Sequence, residues 1–187
     1  LEAVLFECSR VGDVSALLAA RAFGAAHGVE LTAAAYGALL RTAGTQLDAA
    51  GLLREADERG LLNDELLIAA SSAAAESSDT ALAVAMLQRL PKKPSAQVAA
   101  HLVRLAAKNP SCLGKDGDMA VLQLCEGHLV GGAVFGGDPS ALQAVVEVAL
   151  RSGMQPIVQR LMALLECSHQ QALIKALGAG GDKTSLA

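Results

Sequence analysis

Aromatic side chains are scarce in this 187-residue chain: Phe, Tyr and Trp together make up 2% of it, with one Tyr and no Trp. Because β-sheets draw much of their stability from aromatic and β-branched side chains, this scarcity disfavours a sheet-rich fold. Ala is abundant instead, and hydrophobic residues reach 52%. Ala has the highest helix propensity, so we predict an all-α fold, long enough to bury a core without disulfides or metals.

Long apolar runs are also lacking. Crossing a bilayer as a helix takes about 20 consecutive apolar residues, and charged residues or Gly interrupt every apolar segment of the chain. We therefore expect a soluble chain that has no membrane partner. The sequence begins with Leu rather than Met, so we expect a piece of a longer chain in which any targeting segment is not seen.

A convincing catalytic motif is absent as well. Residues 178–185, GAGGDKTS, look like a phosphate-binding loop, but an acidic residue precedes the Lys and no predicted helix follows. The four cysteines fit buried apolar positions in a reducing compartment. Two Cys/His pairs lack the Cys-x-x-Cys spacing of a strong zinc site: Cys125 with His128, and Cys167 with His169. We predict no enzyme activity, no cofactor, no metal and no small-molecule substrate.

Residues 32–64 have the pattern of one helical hairpin. Thr32 is a candidate N-cap for a first helix that ends near a Gly. Thr45, with Asp48 three residues later in a capping-box arrangement, predicts the start of a second helix, which Gly60 ends. Apolar residues in this second helix follow an i, i+3, i+4, i+7 spacing, which predicts one buried and one charged face.

The glycines that bound this hairpin recur at a constant interval. Gly12 and Gly44 are 32 residues apart, and so are Gly28 and Gly60. A repeat of this length built from paired helices is typical of an α-solenoid, in which each hairpin of antiparallel helices buries its apolar face against its neighbours. Further along, an Asp precedes an apolar segment three more times, and each is a candidate N-cap: Asp79, Asp118 and Asp138.

We predict that the helical repeat array covers residues 1–178, as about ten helices paired into about five stacked hairpins. Residues 1–90 contain the clearer repeats and residues 95–178 the divergent ones, and residues 179–187 form a flexible tail. The segment LVGGAVFGG, residues 129–137, interrupts the second part. It is either a loop around a ligand or a long connection between repeats.

The segments YGALLRTAG, LDAAGLLREADERGLLND and ALQAVVEVALRSGMQP resemble pentatricopeptide repeats. The array is also similar to the repeat region of protein-only ribonuclease P. The resemblance implies a non-catalytic protein that binds single-stranded RNA and acts in RNA processing, stability or translation in a mitochondrion or plastid. Positions that match the family's repeats are Gly44, Ala49, Leu52, Leu53, Gly60 and Asp64 in one copy, and Gly137, Leu142, Gly153 and Pro156 in a later one.

Two side chains per repeat bind one base in this family. The resemblance places this pair at Ala34 and Asp64 in the second copy, and at Glu2 and Thr32 in the first. Ala34 has no side-chain hydrogen-bonding group. The alternative for Asp64 is a structural role as the N-cap of a helix that starts just after it.

The positive charges are concentrated in the middle of the chain. Residues 1–79 hold five basic and twelve acidic residues, residues 80–115 hold six basic and no acidic residues, and residues 116–187 hold four basic and seven acidic residues. Phosphate contacts require Lys and Arg, so the middle segment is the best RNA-binding candidate, and a solvated helix face is the alternative. Its candidate residues are Arg89, Lys92, Lys93, His101, Arg104, Lys108 and Lys115.

Two functions are therefore open. The first is RNA binding without catalysis, as the resemblance implies. The second is a helical-repeat scaffold that binds a protein or an extended peptide, which accounts better for the acidic flanks. RNA binding requires the basic side chains of residues 89–115 to converge on one concave surface, whereas a scaffold does not.

Overall fold

The structure, a computed structural model, describes residues 1–42, 47–126, 128, 138–157 and 159. These residues include nine complete α-helices, a further helical stretch at residues 155–157 and no strand, which confirms the all-α prediction. None of the described helices is both long enough and apolar enough to span a membrane. In chain order they are α1 Glu2–Val11, α2 Val14–Ala26, α3 Ala33–Thr42, α4 Ala49–Glu58, α5 Asp64–Ser77, α6 Thr80–Leu87, α7 Ala96–Lys108, α8 Pro110–Glu126 and α9 Pro139–Arg151.

Polar side chains cap the first turn of most helices. In α2, α4 and α6 an Asp carboxylate accepts a hydrogen bond of 2.8 to 3.0 Å from the backbone N–H three residues ahead. Each such cap stabilises its helix by about 1 kcal/mol. The caps of the odd-numbered helices that follow α1 are Thr32, Asn63, Ser95 and Asp138. Three of the predicted caps are thereby confirmed: Thr32, Asp79 and Asp138.

Two predicted caps are wrong. Asp118 does not begin a helix, because α8 starts eight residues earlier and places this side chain inside the protein. Asp64 does not cap α5, because Asn63 occupies the cap and Asp64 is the first helical residue. Thr45 lies outside the described residues, and Asp48 is the residue that caps α4.

Glycine in the left-handed conformation ends several of the helices. Gly12, Gly28 and Gly60 have φ angles of 72°, 65° and 68° at the ends of α1, α2 and α4. Residues with a Cβ rarely adopt this conformation, so Gly is favoured there. The predicted stop at Gly60 is confirmed, and Gly44 lies outside the described residues.

The helices pack in two rows. In the first row α1, α3, α5, α7 and α9 each contact the next, and in the second row α4 contacts α6 and α6 contacts α8. Each odd-numbered helix from α1 to α7 also contacts the even-numbered helix that follows it. Every substantial contact between described helices joins elements that are one or two places apart in the chain. The core is therefore built from neighbours only.

The sequences of the odd-numbered helices can be aligned on their N-cap residues, which are Leu1, Thr32, Asn63, Ser95 and Asp138. The intervals between these residues are 31, 31, 32 and 43. The longer last interval contains the end of α8 and the connection to α9. The fourth residue after each cap is 6% exposed or less, so it forms a continuous apolar line through the row: Leu5, Tyr36, Leu67, Ala99 and Leu142.

Ion pairs join successive hairpins. In each of four pairs the two residues are 32 to 34 positions apart, which is close to the interval of 31 or 32 residues between the first four N-caps. The charged side chains therefore reach from one hairpin to the next rather than along a single helix. These pairs are Arg21 with Glu55, Arg89 with Asp57, Arg104 with Asp138, and Arg151 with Asp118.

The most buried of these pairs connects α7, α8 and α9. The Asp118 side chain is only 4% exposed, and its Oδ2 accepts hydrogen bonds from Arg151 Nη2 at 2.7 Å and Nε at 3.0 Å. Arg151 Nη2 also donates to the backbone oxygen of Ala106 at 2.9 Å. One guanidinium thus holds three helices together.

We predict that Arg151→Met lowers the free energy of unfolding by about 3 kcal/mol, because it leaves a buried carboxylate without its partner. Urea denaturation followed by circular dichroism measures this loss. Adding Asp118→Asn to Arg151→Met should restore part of it. The matched control is Arg54→Met, whose partner Asp48 is exposed and 3.7 Å away, and we expect a loss of less than about 1 kcal/mol there. Equal losses in the two single variants would contradict the prediction.

Candidate binding surface

One side of the odd-numbered helices is exposed along the whole row. The second and the ninth residues after each N-cap lie on the same side, because they are seven positions apart. We call this surface the odd-helix face. The second positions are exposed in all five helices: Ala3, Ala34, Glu65, Gln97 and Ser140. The ninth positions are Arg10, Arg41, Ser72, Arg104 and Glu147.

Two clefts lie along this face. One, of about 580 Å³, lies between α1 and α3 and is lined in part by Phe6, Arg10 and Arg41. The other, of about 510 Å³, lies between α5, α7 and the start of α9, and its lining includes Gln97 and His101. Both are open surface clefts rather than enclosed pockets.

Arg104 dominates the second cleft, and it is already paired. Its Nε donates to Ser140 Oγ at 3.0 Å, and its Nη2 donates to the Asp138 carboxylate. Partial burial opposes the ionisation of Asp138, but hydrogen bonds from Ser140 and Ala141 and the Arg104 charge outweigh it and lower the Asp138 pKa. The charge of Arg104 is thus balanced by an ionised carboxylate in the same cleft.

His101 lines the same cleft. Burial lowers its pKa, the positive charge of Arg104 lowers it further, and Asp138 acts in the opposite direction. The imidazole is therefore mostly neutral at neutral pH and does not add a positive charge. The candidate residues His101 and Arg104 thus line one cleft, but the site they form has no excess of positive charge.

Lys92 and Lys93 lie in another place. They line a cleft of about 560 Å³ between the α6–α7 connection and α8, together with Gln123, Leu124 and His128. His128 Nε2 donates to the backbone oxygen of Pro94 at 2.8 Å, which ties the connection to the region just after α8. This cleft and the Arg104 cleft have no lining residue in common.

The other basic candidates are dispersed. Arg89 lies just after α6, where its Nε is 3.1 Å from an oxygen of Asp57 on α4 and its Nη1 donates to the Ala85 backbone oxygen at 2.9 Å. It belongs to the even-numbered row. Lys108 is exposed in the last turn of α7, and the side chain of Lys115 lies outside the described part of the structure.

The base-binding positions implied by the resemblance are found as follows. Ala34 is exposed on the odd-helix face, and Asp64 is exposed in the first turn of α5. In the first copy, Thr32 Oγ1 donates a hydrogen bond to the Glu2 carboxylate, so these two groups satisfy each other.

Gln97 and Ser140 occupy the position equivalent to Ala34, and they carry the hydrogen-bonding groups that Ala34 lacks. They were not among the predicted site residues. The spacing of the N-caps could have identified them.

Tyr36 anchors a polar network that was not predicted either. Its hydroxyl donates to Glu55 Oε1 at 2.7 Å, and the same carboxylate lies 3.3 Å from Arg21 and 3.1 Å from Arg59. The network joins α2, α3 and α4. Burial, followed by the hydrogen bond to Glu55 and the charge of Glu55, raises the pKa of Tyr36 to about 12.

Metal ligands do not cluster in the part of the chain that the structure describes, where no group of three His, Cys, Asp or Glu side chains could hold an ion. Cys125 is buried, and burial raises its thiol pKa to about 12, which keeps it protonated. Three of the segments considered above lie outside the described residues: the pair Cys167 and His169, residues 129–137 and residues 178–185.

Comparison with models of known protein families finds no match for the chain. Comparisons with curated proteins and with solved structures find none either. The pentatricopeptide resemblance therefore stays a prediction. What the chain can bind has to be argued from its own surfaces.

We predict that the single tyrosine titrates with a midpoint near pH 12 in the folded protein and near pH 10 after unfolding. Absorbance at 295 nm follows this ionisation without interference, because the chain contains no Trp. Between the two values only the unfolded state releases the proton, so stability should fall as the pH rises through this window. Tyr36→Phe should remove that part of the pH dependence. A folded midpoint near 10 would contradict the network.

Proposed function

We propose that the chain is an α-solenoid of helical hairpins that acts as a non-catalytic scaffold and binds an extended segment of a partner protein along the odd-helix face. The contacts between neighbouring helices support the architecture, because each hairpin packs only on the next. An open row of this kind offers a long surface rather than a deep pocket. Such a surface suits an extended ligand better than a small molecule.

The observation that carries this proposal is the pairing of the arginines with carboxylates. Arg89 and Arg104, two of the predicted RNA contacts, are bound to Asp57 and Asp138, and the formal net charge of the chain is −4. RNA binding depends on uncompensated positive charge opposite phosphates. The odd-helix face carries hydrogen-bond donors, hydrogen-bond acceptors and small side chains. It can therefore bind a polypeptide, whose backbone offers both N–H donors and C=O acceptors.

The dimensions of the row set the length of the ligand. Packed helices lie about 9 Å apart, so the four intervals between five odd-numbered helices span about 36 Å. An extended polypeptide advances about 3.3 Å per residue. The odd-helix face therefore accommodates a segment of about 11 residues.

Single-stranded RNA is the second candidate. The ninth position after the N-cap is Arg in α1, α3 and α7, where Arg10, Arg41 and Arg104 could contact phosphates along one strand, and it is Ser72 in α5. With the pentatricopeptide resemblance, this arrangement supports RNA processing, stability or translation in an organelle. Arg10 pairs with Glu7 at 2.5 Å and Arg104 pairs with Asp138, which weakens the RNA proposal.

One substitution separates the two candidates. Ala34→Arg adds a long cation on α3, the second of the five helices that form the odd-helix face. It should weaken binding of 12-residue peptides selected from a displayed library by about tenfold or more, because it obstructs the surface. It should strengthen binding of a fluorescent single-stranded RNA pool, since it adds a phosphate contact.

Fluorescence anisotropy over a salt series measures both ligands on the same variants. The control is Ala81→Arg, at an exposed position on α6 in the other row. It should leave the affinities for the peptides and for the RNA close to those of the original chain. Selected peptides that bind Ala34→Arg as tightly as the original chain would rule out the scaffold proposal for this face. Tight RNA binding that weakens steeply with salt, and that is lost in Arg10→Ala/Arg41→Ala, would establish the RNA candidate.

A further inference from the structure

One cleft lies apart from the odd-helix face. It has a volume of about 560 Å³ and is bounded on one side by the α6–α7 connection and on the other by the second half of α8. We call it the lysine cleft. It shares no lining residue with the two clefts of the odd-helix face. Its described lining residues are Lys92, Lys93, Ala120, Gln123, Leu124 and His128.

The two lysines carry uncompensated charge. Seven arginines in the described part of the chain pair with a carboxylate. Among the same residues, neither Lys92 nor Lys93 has such a partner, and both are exposed. The lysine cleft thus differs from the Arg104 cleft, where Asp138 balances the arginine.

The acidic residues of α8 nearest to the cleft in sequence do not cancel this charge. Asp118 is buried in its pair with Arg151, and Glu126 is exposed at the end of the helix. Neither of them lines the cleft. The described lining therefore has two positive charges and no negative one.

The backbone that carries the lysines is restrained. Pro91 and Pro94 flank the two lysines, and each proline ring fixes its own φ angle and restricts the residue before it. Pro94 is buried, and its backbone oxygen accepts a hydrogen bond of 2.8 Å from His128 Nε2. Binding a ligand between this connection and α8 therefore costs less backbone entropy than binding in a flexible loop.

The polar groups of the cleft suit a ligand with two negative charges. Each lysine ammonium is a compact cation with three N–H donors, and the Gln123 amide adds neutral donors. A phosphate monoester carries a charge of about −1.5 to −2 at pH 7 and three strong acceptor oxygens. A carboxylate or a phosphodiester carries only one charge. Ala120 and Leu124 provide an apolar wall for the organic part of the ester.

We propose that the lysine cleft binds a phosphate monoester, with the phosphate between Lys92 and Lys93 and the organic group against Leu124. The ester is carried either by a free small molecule or by a phosphorylated side chain, because both present the same group. This site is separate from the ligand proposed for the odd-helix face, and its test does not depend on that ligand.

Single-stranded RNA fits the lysine cleft less well. A strand carries its charges one by one, so tight binding requires further cations along its path. Arg89, just before the connection, already pairs with Asp57. Lys108 lies at the opposite end of α7, about 18 Å from the start of that helix.

Nuclear magnetic resonance of the ¹⁵N-labelled full chain tests the proposal. Titration with phenyl phosphate at constant ionic strength should shift the amide signals of Lys92, Lys93 and Gln123. The shifts should saturate with a Kd of about 1 mM or lower. Benzoate has a similar ring but a single charge, so it should bind about tenfold more weakly.

Three double or single variants assign the binding to the lysines. Lys92→Gln/Lys93→Gln should raise the Kd by about tenfold or more, whereas Lys92→Arg/Lys93→Arg should keep it within about threefold, because the charges remain. The control Lys108→Gln, at an exposed position of α7 outside the cleft, should leave the Kd unchanged. All three variants alter exposed side chains and should keep the melting temperature within about 2 °C.

The two sources of the ester are separated by comparing O-phosphoserine with a peptide that contains phosphoserine. Binding of the peptide that is tighter by about tenfold or more supports a phosphorylated partner, and equal affinities support a small molecule. The proposal would be overturned if phenyl phosphate gave no saturable shift at the cleft, if benzoate bound as tightly, or if the Kd survived Lys92→Gln/Lys93→Gln. Single-stranded RNA that binds more tightly than either ester, and that is released by the same variant, would assign the cleft to RNA instead.

Discussion

The packing of each odd-numbered helix on the next is the interaction on which the rest of this structure depends. It buries an apolar line, from Leu5 in the first helix to Leu142 in the ninth, that no single hairpin could bury by itself. The even-numbered helices are held through their own hairpins, through the contacts of α4 with α6 and of α6 with α8, and through ion pairs to the neighbouring hairpin. Every substantial contact among the described helices is between near neighbours in the chain. The stability of each hairpin therefore depends on the hairpins that pack directly against it.

Much of this architecture could be predicted from local patterns. Asp79 and Asp138 were identified as caps because a short acceptor before an apolar segment is the usual start of a helix. Asp118 has the same local pattern, yet it lies inside α8, which begins earlier and bends at Gly114 with a φ angle of 66°. A side chain drawn into the core by a distant partner, here Arg151, cannot be recognised from its neighbours in sequence.

The charge of the candidate site could not be predicted from the sequence either. Counting charges along the chain identified residues 80–115 as an uninterrupted basic segment. The acidic partners of Arg89 and Arg104 lie 32 residues before and 34 residues after them, outside that segment. The packing of successive hairpins brings such residues together, so the net charge of a surface differs from the net charge of a segment. Alignment of the odd-numbered helices on their N-caps places Gln97 and Ser140 at the position equivalent to Ala34 on the odd-helix face.

Hydrogen exchange monitored residue by residue tests this account most directly. If stability comes from the odd-numbered row, the amides of α3, α5 and α7, which have an odd-numbered neighbour on both sides, should exchange slowest. The amides of α2 should exchange fastest among the helices up to α8, since α2 packs mainly on α1 and exposes Phe23. Exchange in α2 as slow as in α5 would contradict the central role of the odd-numbered row.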